Sequence, residues 1–143
     1  MFLGIDLGST FFKVELVGAG GARLGSGAAT VPYLAAGSGR MEEIPVDEAE
    51  SALARAVRDA LSGAGVSCRR LAAIGITSQA QTFTVRAPSG AAKRPFLSWR
   101  DSRIGAESPA LDLPDFGRHT SFPRCSPALT VAKVAQLQRE SGR

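Results

Sequence analysis

Several residue types are scarce in this chain. Its 143 residues include one histidine, one tryptophan, one tyrosine and two cysteines. Cys68 and Cys125 lie far apart with no CxxC partner, which removes zinc as an organising feature. Two free, mostly buried thiols in a reducing cytoplasm are the expected state, with a single long-range bridge as the other reading. No apolar run approaches the roughly 18 residues that a membrane helix needs, so no membrane partner is expected. The opening Met1-Phe2-Leu3-Gly4-Ile5 meets Asp6 at once and carries no basic leader, unlike a signal peptide. Dense basic runs are missing too: Arg69-Arg70 and Lys93-Arg94 are only pairs.

What remains is the composition of a globular chain, 44% hydrophobic and 21% charged, long enough to bury a core without staples. Seventeen basic and thirteen acidic side chains give a net charge of +4. The balance is uneven, with five basic and eight acidic residues in 1–60 and twelve and five in 61–143. A solvated surface accounts for such scattered charge, an anionic ligand is the alternative, and nucleic acid is not expected.

Hydrophobic period supplies the elements. Phe2 to Leu7 reads as a buried strand, bounded by Gly8-Ser9. Phe11 to Val17 alternates, with Phe12, Val14 and Leu16 on one face and Lys13 and Glu15 on the other. Gly18 to Gly21 offers a hairpin turn, and Ala22 to Val31 a third antiparallel strand weakened by glycine. Residues 32–45 read as loop. Val46 to Leu61 reads as a helix with Val46, Ala49, Leu53, Val57 and Ala60 in one stripe; Asp47, Glu48 and Glu50 suit its positive end, and Gly63 and Gly65 stop it. Leu71 to Thr77 and Thr82 to Arg86 follow as a buried fourth and a fifth strand, then a turn at Pro88-Ser89-Gly90 and a short apolar stretch from Phe96 to Trp99. Residues 108–125 show no clear period. Ser126-Pro127 looks like the start of a last helix, with Val131, Val134, Ala135 and Leu137 on its apolar side. The order predicts an α/β chain with a mixed five-stranded sheet and flanking helices.

Three segments carry the chemistry. In Gly4-Ile5-Asp6-Leu7-Gly8-Ser9-Thr10, a carboxylate ends a buried strand, where it can hold Mg²⁺ directly or through water. The turn after it can offer N–H groups and hydroxyls to phosphate, and Lys13 can return across the hairpin. An ordinary hairpin is the competing reading. In Gly75-Ile76-Thr77-Ser78-Gln79-Ala80-Gln81-Thr82, two glutamines follow a strand end. Amides carry both donor and acceptor, which suits a polyol or sugar; a solvated polar turn is the plain alternative. In Pro95-Phe96-Leu97-Ser98-Trp99-Arg100-Asp101-Ser102-Arg103, the single indole can serve as a platform for the apolar side of a sugar, or simply as a core residue, and Arg100, Asp101 and Arg103 can equally be an ion-pair cluster at a helix start.

In this order and spacing, the three segments resemble the N-terminal domain of the FGGY carbohydrate kinases, and Ser126 to Lys133 resembles the helix that follows there. The resemblance spans nearly the whole chain. It implies a ribonuclease H-like fold of the actin-like ATPase superfamily, present here only in part, and transfer of the ATP γ-phosphate to a sugar or polyol hydroxyl in the cytoplasm. On matching positions it puts Asp6 at Mg²⁺, Gly8, Ser9 and Thr10 along the ATP phosphates, and Lys13 near them. It assigns Gln79, Ala80, Gln81, Trp99, Asp101 and Arg103 to the substrate side. Ala80-Gln81 differs from the Arg-Glu and Met-His pairs of glycerol kinases and xylulokinases, which points to a neutral polyhydroxyl ligand. Residues 1–143 would be the front of that N-terminal domain, with the catalytic base, adenine pocket and C-terminal ATPase domain beyond Arg143 and no turnover by the chain alone. Self-association as a homodimer stays open. A non-catalytic sugar-binding or assembly module is the alternative of a different class. ATPase activators of dehydratases share the first motif but not the tryptophan segment.

Overall fold

The computed structural model describes residues 1–34, 41–92, 94–105 and 108–142. They fall into two compact units: Met1–Pro32 with Ile44–Gln79, and Tyr33–Glu43 with Ala80–Arg143.

The first unit is built on a four-stranded sheet in the order β3-β2-β1-β5. Its strands are β1 (Phe2–Leu7), β2 (Phe11–Val17), β3 (Arg23–Thr30) and β5 (Ala73–Ser78). β1 pairs antiparallel with β2 and parallel with β5, so the sheet is mixed as expected. Alternation along β1 and β2 turns Leu3, Ile5, Phe12, Val14 and Leu16 inward and leaves Lys13 and Glu15 exposed. The hairpin turn closes with the Gly18 N–H donating to the Ala22 carbonyl at 2.8 Å, and Gly21 takes a φ of 83° that suits glycine.

Helix α1 (Val46–Gly63) packs on β3 and β2, with Asp47 and Glu48 in its first turn. Its buried face differs from the expected stripe: Ala49, Ala52, Ala56 and Ala60 are buried, while Leu53 and Val57 are only half-buried. The reason lies in β3. Gly25 and Gly27 sit opposite Leu16 and Val14, and a Cβ at either would fall onto the carbonyl oxygen of Ala60 or Ala56. Sheet and helix backbones therefore meet with nothing larger than alanine between them.

Two strand expectations change. The fourth predicted strand runs from Ala73 to Ser78, after a 3₁₀ turn at Cys68–Arg70, and it is exposed along its whole length. Ile74 and Ile76 are 55% and 67% exposed, because α1 covers β3 and β2 and does not extend over β5. The predicted fifth strand, Thr82 to Arg86, is reduced to two isolated bridges, Phe83 with Leu97 and Arg86 with Ala92. Its partner segment contains Pro95, which has no N–H to give a ladder. The sheet thus has four strands rather than five.

The second unit has little regular structure. Apart from the main sheet, a two-stranded ribbon pairs β4 (Glu43–Ile44) with β6 (Phe96–Leu97), β4 lying inside what was expected to be loop at 32–45; residues 35–40 of that loop lie outside the described ones. The turn at Pro88-Ser89-Gly90 is present, with Gly90 at φ 87°. The stretch without sequence period holds a 3₁₀ turn at Pro109–Leu111 and the one-turn α2 (Phe116–His119). The last helix, α3 (Thr130–Glu140), begins later than Ser126-Pro127, which forms a turn instead: the Leu129 N–H donates to the Ser126 carbonyl at 3.1 Å. Its inward residues are Ala132 and Lys133, whereas Val131 and Val134 are exposed, contrary to the expected apolar side. Ile104, Cys125, Leu129 and Ala132 form a small core. Both cysteines are free, with Cys125 buried and Cys68 exposed rather than buried.

Candidate functional site

In the first unit, the end of β1 brings several candidate residues together. Asp6 stands directly opposite Lys13 on β2 and beside Thr77 on β5. Both charged side chains are exposed and line an open trough of about 590 Å³ on the sheet surface, with Glu15 and Thr77. Its floor is the Gly4–Gly75 pair, where neither strand carries a side chain. The chain then turns through Gly8, Ser9 and Thr10. A methyl group at Gly8 would lie 2.9 Å from the Phe11 carbonyl oxygen, so this turn accepts only glycine without shifting.

Gln79 closes the same turn from β5. Its N–H donates to the Leu7 carbonyl at 3.0 Å and its Nε2 to the Gly8 carbonyl at 3.4 Å. Its Oε1 is buried with no hydrogen-bond partner. An unpartnered buried acceptor is costly and calls for a donor. Among the described residues no group of three or more His, Cys, Asp or Glu side chains could hold a metal ion. A single carboxylate is nonetheless what Mg²⁺ uses when waters and phosphate oxygens fill its other positions. The oxygen of Asp6, the hydroxyls of Ser9 and Thr10 and the cation of Lys13 therefore fit a magnesium-bound phosphate chain.

In the second unit, Gln81 and Trp99 lie on one short antiparallel crossing. Phe83 and Leu97 exchange both backbone hydrogen bonds, at 3.2 and 2.7 Å, and the Trp99 N–H donates to Thr82 Oγ1 at 3.1 Å. Trp99 is 43% exposed. Gln81 takes a left-handed φ of 62°, and its Oε1 accepts the Thr130 N–H at 2.7 Å, capping α3. Ala80 is exposed beside it.

Asp101 and Arg103 are placed differently from a substrate-facing pair. Asp101 is 2% exposed, and Arg103 grips its two oxygens through Nε and Nη2 at 2.7 to 3.1 Å. The Glu42 N–H donates to Oδ2 at 3.0 Å, and Arg103 also reaches Glu43 at 2.6 Å. Burial alone would raise the Asp101 carboxyl, but the guanidinium and the Glu42 and Arg103 N–H groups together hold it below the usual carboxylate range. The same pairing raises Arg103. Neighbouring Arg100 is committed too, to Glu42 at 3.4 Å and to the Tyr33 ring at 5.2 Å. These charges brace the loop that presents Trp99.

Most of the chain can be laid on solved structures of known enzymes. A xyloylose kinase from Brucella ovis matches 98% of it with a TM-score of 0.84 at 21% identity. The fold is that of the carbohydrate kinases. Plasmodium falciparum glycerol kinase with ADP matches 99% of the chain (TM-score 0.71, 14% identity), and xylulose kinase from Rhodospirillum rubrum 72% (TM-score 0.63, 20% identity). The chain spans 29%, 31% and 21% of those three chains respectively. No family model and no curated protein matches it.

On this carbohydrate-kinase fold, Asp6, Gly8, Ser9, Thr10, Lys13 and Gln79 fall in the first unit, and Ala80, Gln81, Trp99, Asp101 and Arg103 in the second. Sequence reasoning missed Lys133, which is 3% exposed and donates to the Trp99 and Ala128 carbonyls at 3.4 and 3.0 Å. It also missed Thr82 and Glu42. A signal for Lys133 was present: it is the lone charge between Leu129 and Ala135, one helical turn after Leu129.

Proposed function

We propose that the chain is the front part of an ATP-dependent sugar or polyol kinase with a ribonuclease H-like N-terminal domain. The observation that carries the reading is the β1 turn. A strand-end aspartate faces a lysine across a hairpin whose glycine cannot take a side chain, on a chain with the carbohydrate-kinase fold. In this reading Asp6 holds Mg²⁺, which neutralises charge on the transferring phosphate, and Gly8, Ser9, Thr10 and Lys13 hold the phosphates of ATP. Gln79, which closes the turn, belongs to the substrate side in the same reading. Ala80, Gln81 and Trp99 face the sugar, and Asp101 and Arg103 act on it through the loop they brace. The neutral Ala80-Gln81 pair favours a polyhydroxyl substrate without a required charge. No residue among these 143 is assigned the general-base role, so this chain alone binds without turning over. Work in the cytoplasm belongs to the same reading.

The test uses the kinase that contains this chain, with ATP and D-xylulose, gluconate and glycerol as acceptors. One acceptor is expected to be phosphorylated, and Asp6→Ala to lower the rate by roughly 10²-fold or more. An Asp6→Ala rate equal to that of the parent, or no transfer to any acceptor in a wider sugar panel, would overturn the reading. Sugar binding without transfer would favour a non-catalytic module instead.

A further inference from the structure

Two ties run from the first turn of α3 to residues assigned to the sugar, one to the Gln81 side chain and one to the Trp99 backbone. At the helix start the Thr130 N–H meets Gln81 Oε1, and three residues on, Lys133 Nζ meets the Trp99 carbonyl. A backbone N–H can only donate, so the Gln81 amide atom facing Thr130 must be its oxygen. The NH₂ group is then the end left for another partner, and none is recorded for it among the described residues. Gln81 is exposed and holds a left-handed backbone that a non-glycine residue rarely adopts. Such a conformation persists where surrounding contacts over-determine it, and the Thr130 tie is one such contact.

Lys133 does the corresponding job for Trp99. Lys133 is almost wholly buried, and its ammonium donates hydrogen bonds to two peptide carbonyls, those of Trp99 and Ala128, while the Asp101 charge attracts it from nearby and Arg103 repels it. Burying a lysine to bond neutral carbonyls is expensive, and it ties the backbone under the indole to the helix. Thr82 Oγ1 holds the Trp99 N–H, so the peptide groups on both sides of Trp99 Cα are fixed.

We propose that α3 is the positioning element of the sugar wall: its first N–H turns the Gln81 amide so that it donates to a substrate oxygen, and Lys133 fixes the backbone that carries the Trp99 indole. The proposal rests on the sugar-kinase reading for the identity of the ligand. It defines the group that meets Gln81 as an acceptor, a hydroxyl or carbonyl oxygen, and disfavours a protonated amine there. Gln81 is thus a specificity residue, and Lys133 a positioning residue that does not touch substrate.

Trp99 is the only tryptophan of the 143-residue chain, so its fluorescence reports this segment directly. The experiment compares the parent chain with Lys133→Met, Gln81→Glu and Gln81→Leu. It measures acrylamide quenching of Trp99 without ligand, and binding of D-xylulose and glycerol by the change in Trp99 emission. Lys133→Met should raise the quenching constant by about twofold through loss of the tie. Gln81→Glu keeps an oxygen toward Thr130 but replaces the outward donor with an acceptor. Its quenching should match the parent while its affinity for the better probe falls about tenfold. Gln81→Leu should lose affinity to at least the same extent. Unchanged affinity in Gln81→Glu, or unchanged quenching in a folded Lys133→Met, overturns the proposal. If Lys133→Met does not fold, the exposed Gln81 variants decide alone. If the parent binds neither these probes nor any member of a wider sugar panel, the sugar reading fails, and the quenching arm still decides whether Lys133 positions Trp99.

Discussion

The two units of the chain are held together in different ways. The first relies on backbone: three ladders, two in unbroken register and the β2–β3 ladder shifted only between Leu16 and Val17, and a helix seated on two glycines. Among its described residues the second has a four-residue core beside α3, and side chains span the rest, chiefly Asp101, Arg103, Lys133 and Gln81. Backbone ladders tolerate many side chains but not a wrong volume at a close approach. Side-chain braces tolerate volume changes but not the loss of one charge. Mutation should therefore sort the two units by mechanism.

The largest effect is expected where sheet and helix backbones meet. In Gly27→Val the new Cβ would overlap the Ala56 carbonyl, and neither partner is the end of a flexible side chain. Helix α1 must move off β3, at a cost of at least about 3 kcal/mol, the upper range for overpacking. Urea unfolding followed by circular dichroism measures it. A loss below about 1 kcal/mol would mean that helix and sheet are not in such close contact.

Next comes the brace of the second unit. Asp101→Asn removes a buried carboxylate that answers Arg103 and the Glu42 N–H, and leaves Arg103 with Glu43. Losing one member of a buried pair costs about 3–5 kcal/mol; because Arg103 is partly exposed and keeps a partner, about 2 kcal/mol is expected. The pH dependence has a definite sign. A carboxyl whose folded pKa lies below its unfolded value near 3.9 stabilises the fold above that pH, and the contribution fades as pH falls toward the folded pKa. Acid titration of stability below about pH 4 should show this slope in the parent, and a shallower slope in Asp101→Asn. Equal slopes would remove Asp101 from the brace.

The same contrast explains what could be read from sequence. Phe12, Lys13, Val14, Glu15 and Leu16 announce a strand because the period of two is local and each charge marks the outer face. The turn at Gly8 and the helix at Val46 are equally local signals. In sequence the glycines of β3 only weaken a strand; that they seat α1 depends on Ala56 and Ala60, which no local window joins to them. In the second unit the decisive ties span 49 residues from Gln81 to Thr130 and 59 from Glu42 to Asp101. Neither has a period, so sequence alone leaves the Asp101–Arg103 segment open between ligand contact and an ion-pair cluster, and only the fold shows the charges paired with one another. The apolar run of β5 misled in the opposite direction, since run length reports the capacity to be buried and not the presence of a cover.

That last point permits the smallest and sharpest test. Ile5 and Ile76 are neighbours across the parallel β1–β5 ladder, so their side chains share one face of the sheet. Ile5 is 8% exposed and Ile76 67%. The same substitution to threonine keeps the β-branched shape at both positions and differs only in what it uncovers. Ile5→Thr buries a hydroxyl and loses apolar contact, and should cost about 2 kcal/mol. Ile76→Thr should change stability by less than about 0.5 kcal/mol, as for an ordinary surface position. Denaturation midpoints of the two variants against the parent make the comparison. Equal losses would mean that β5 is covered in solution by something that buries Ile76 as α1 buries its side of the sheet.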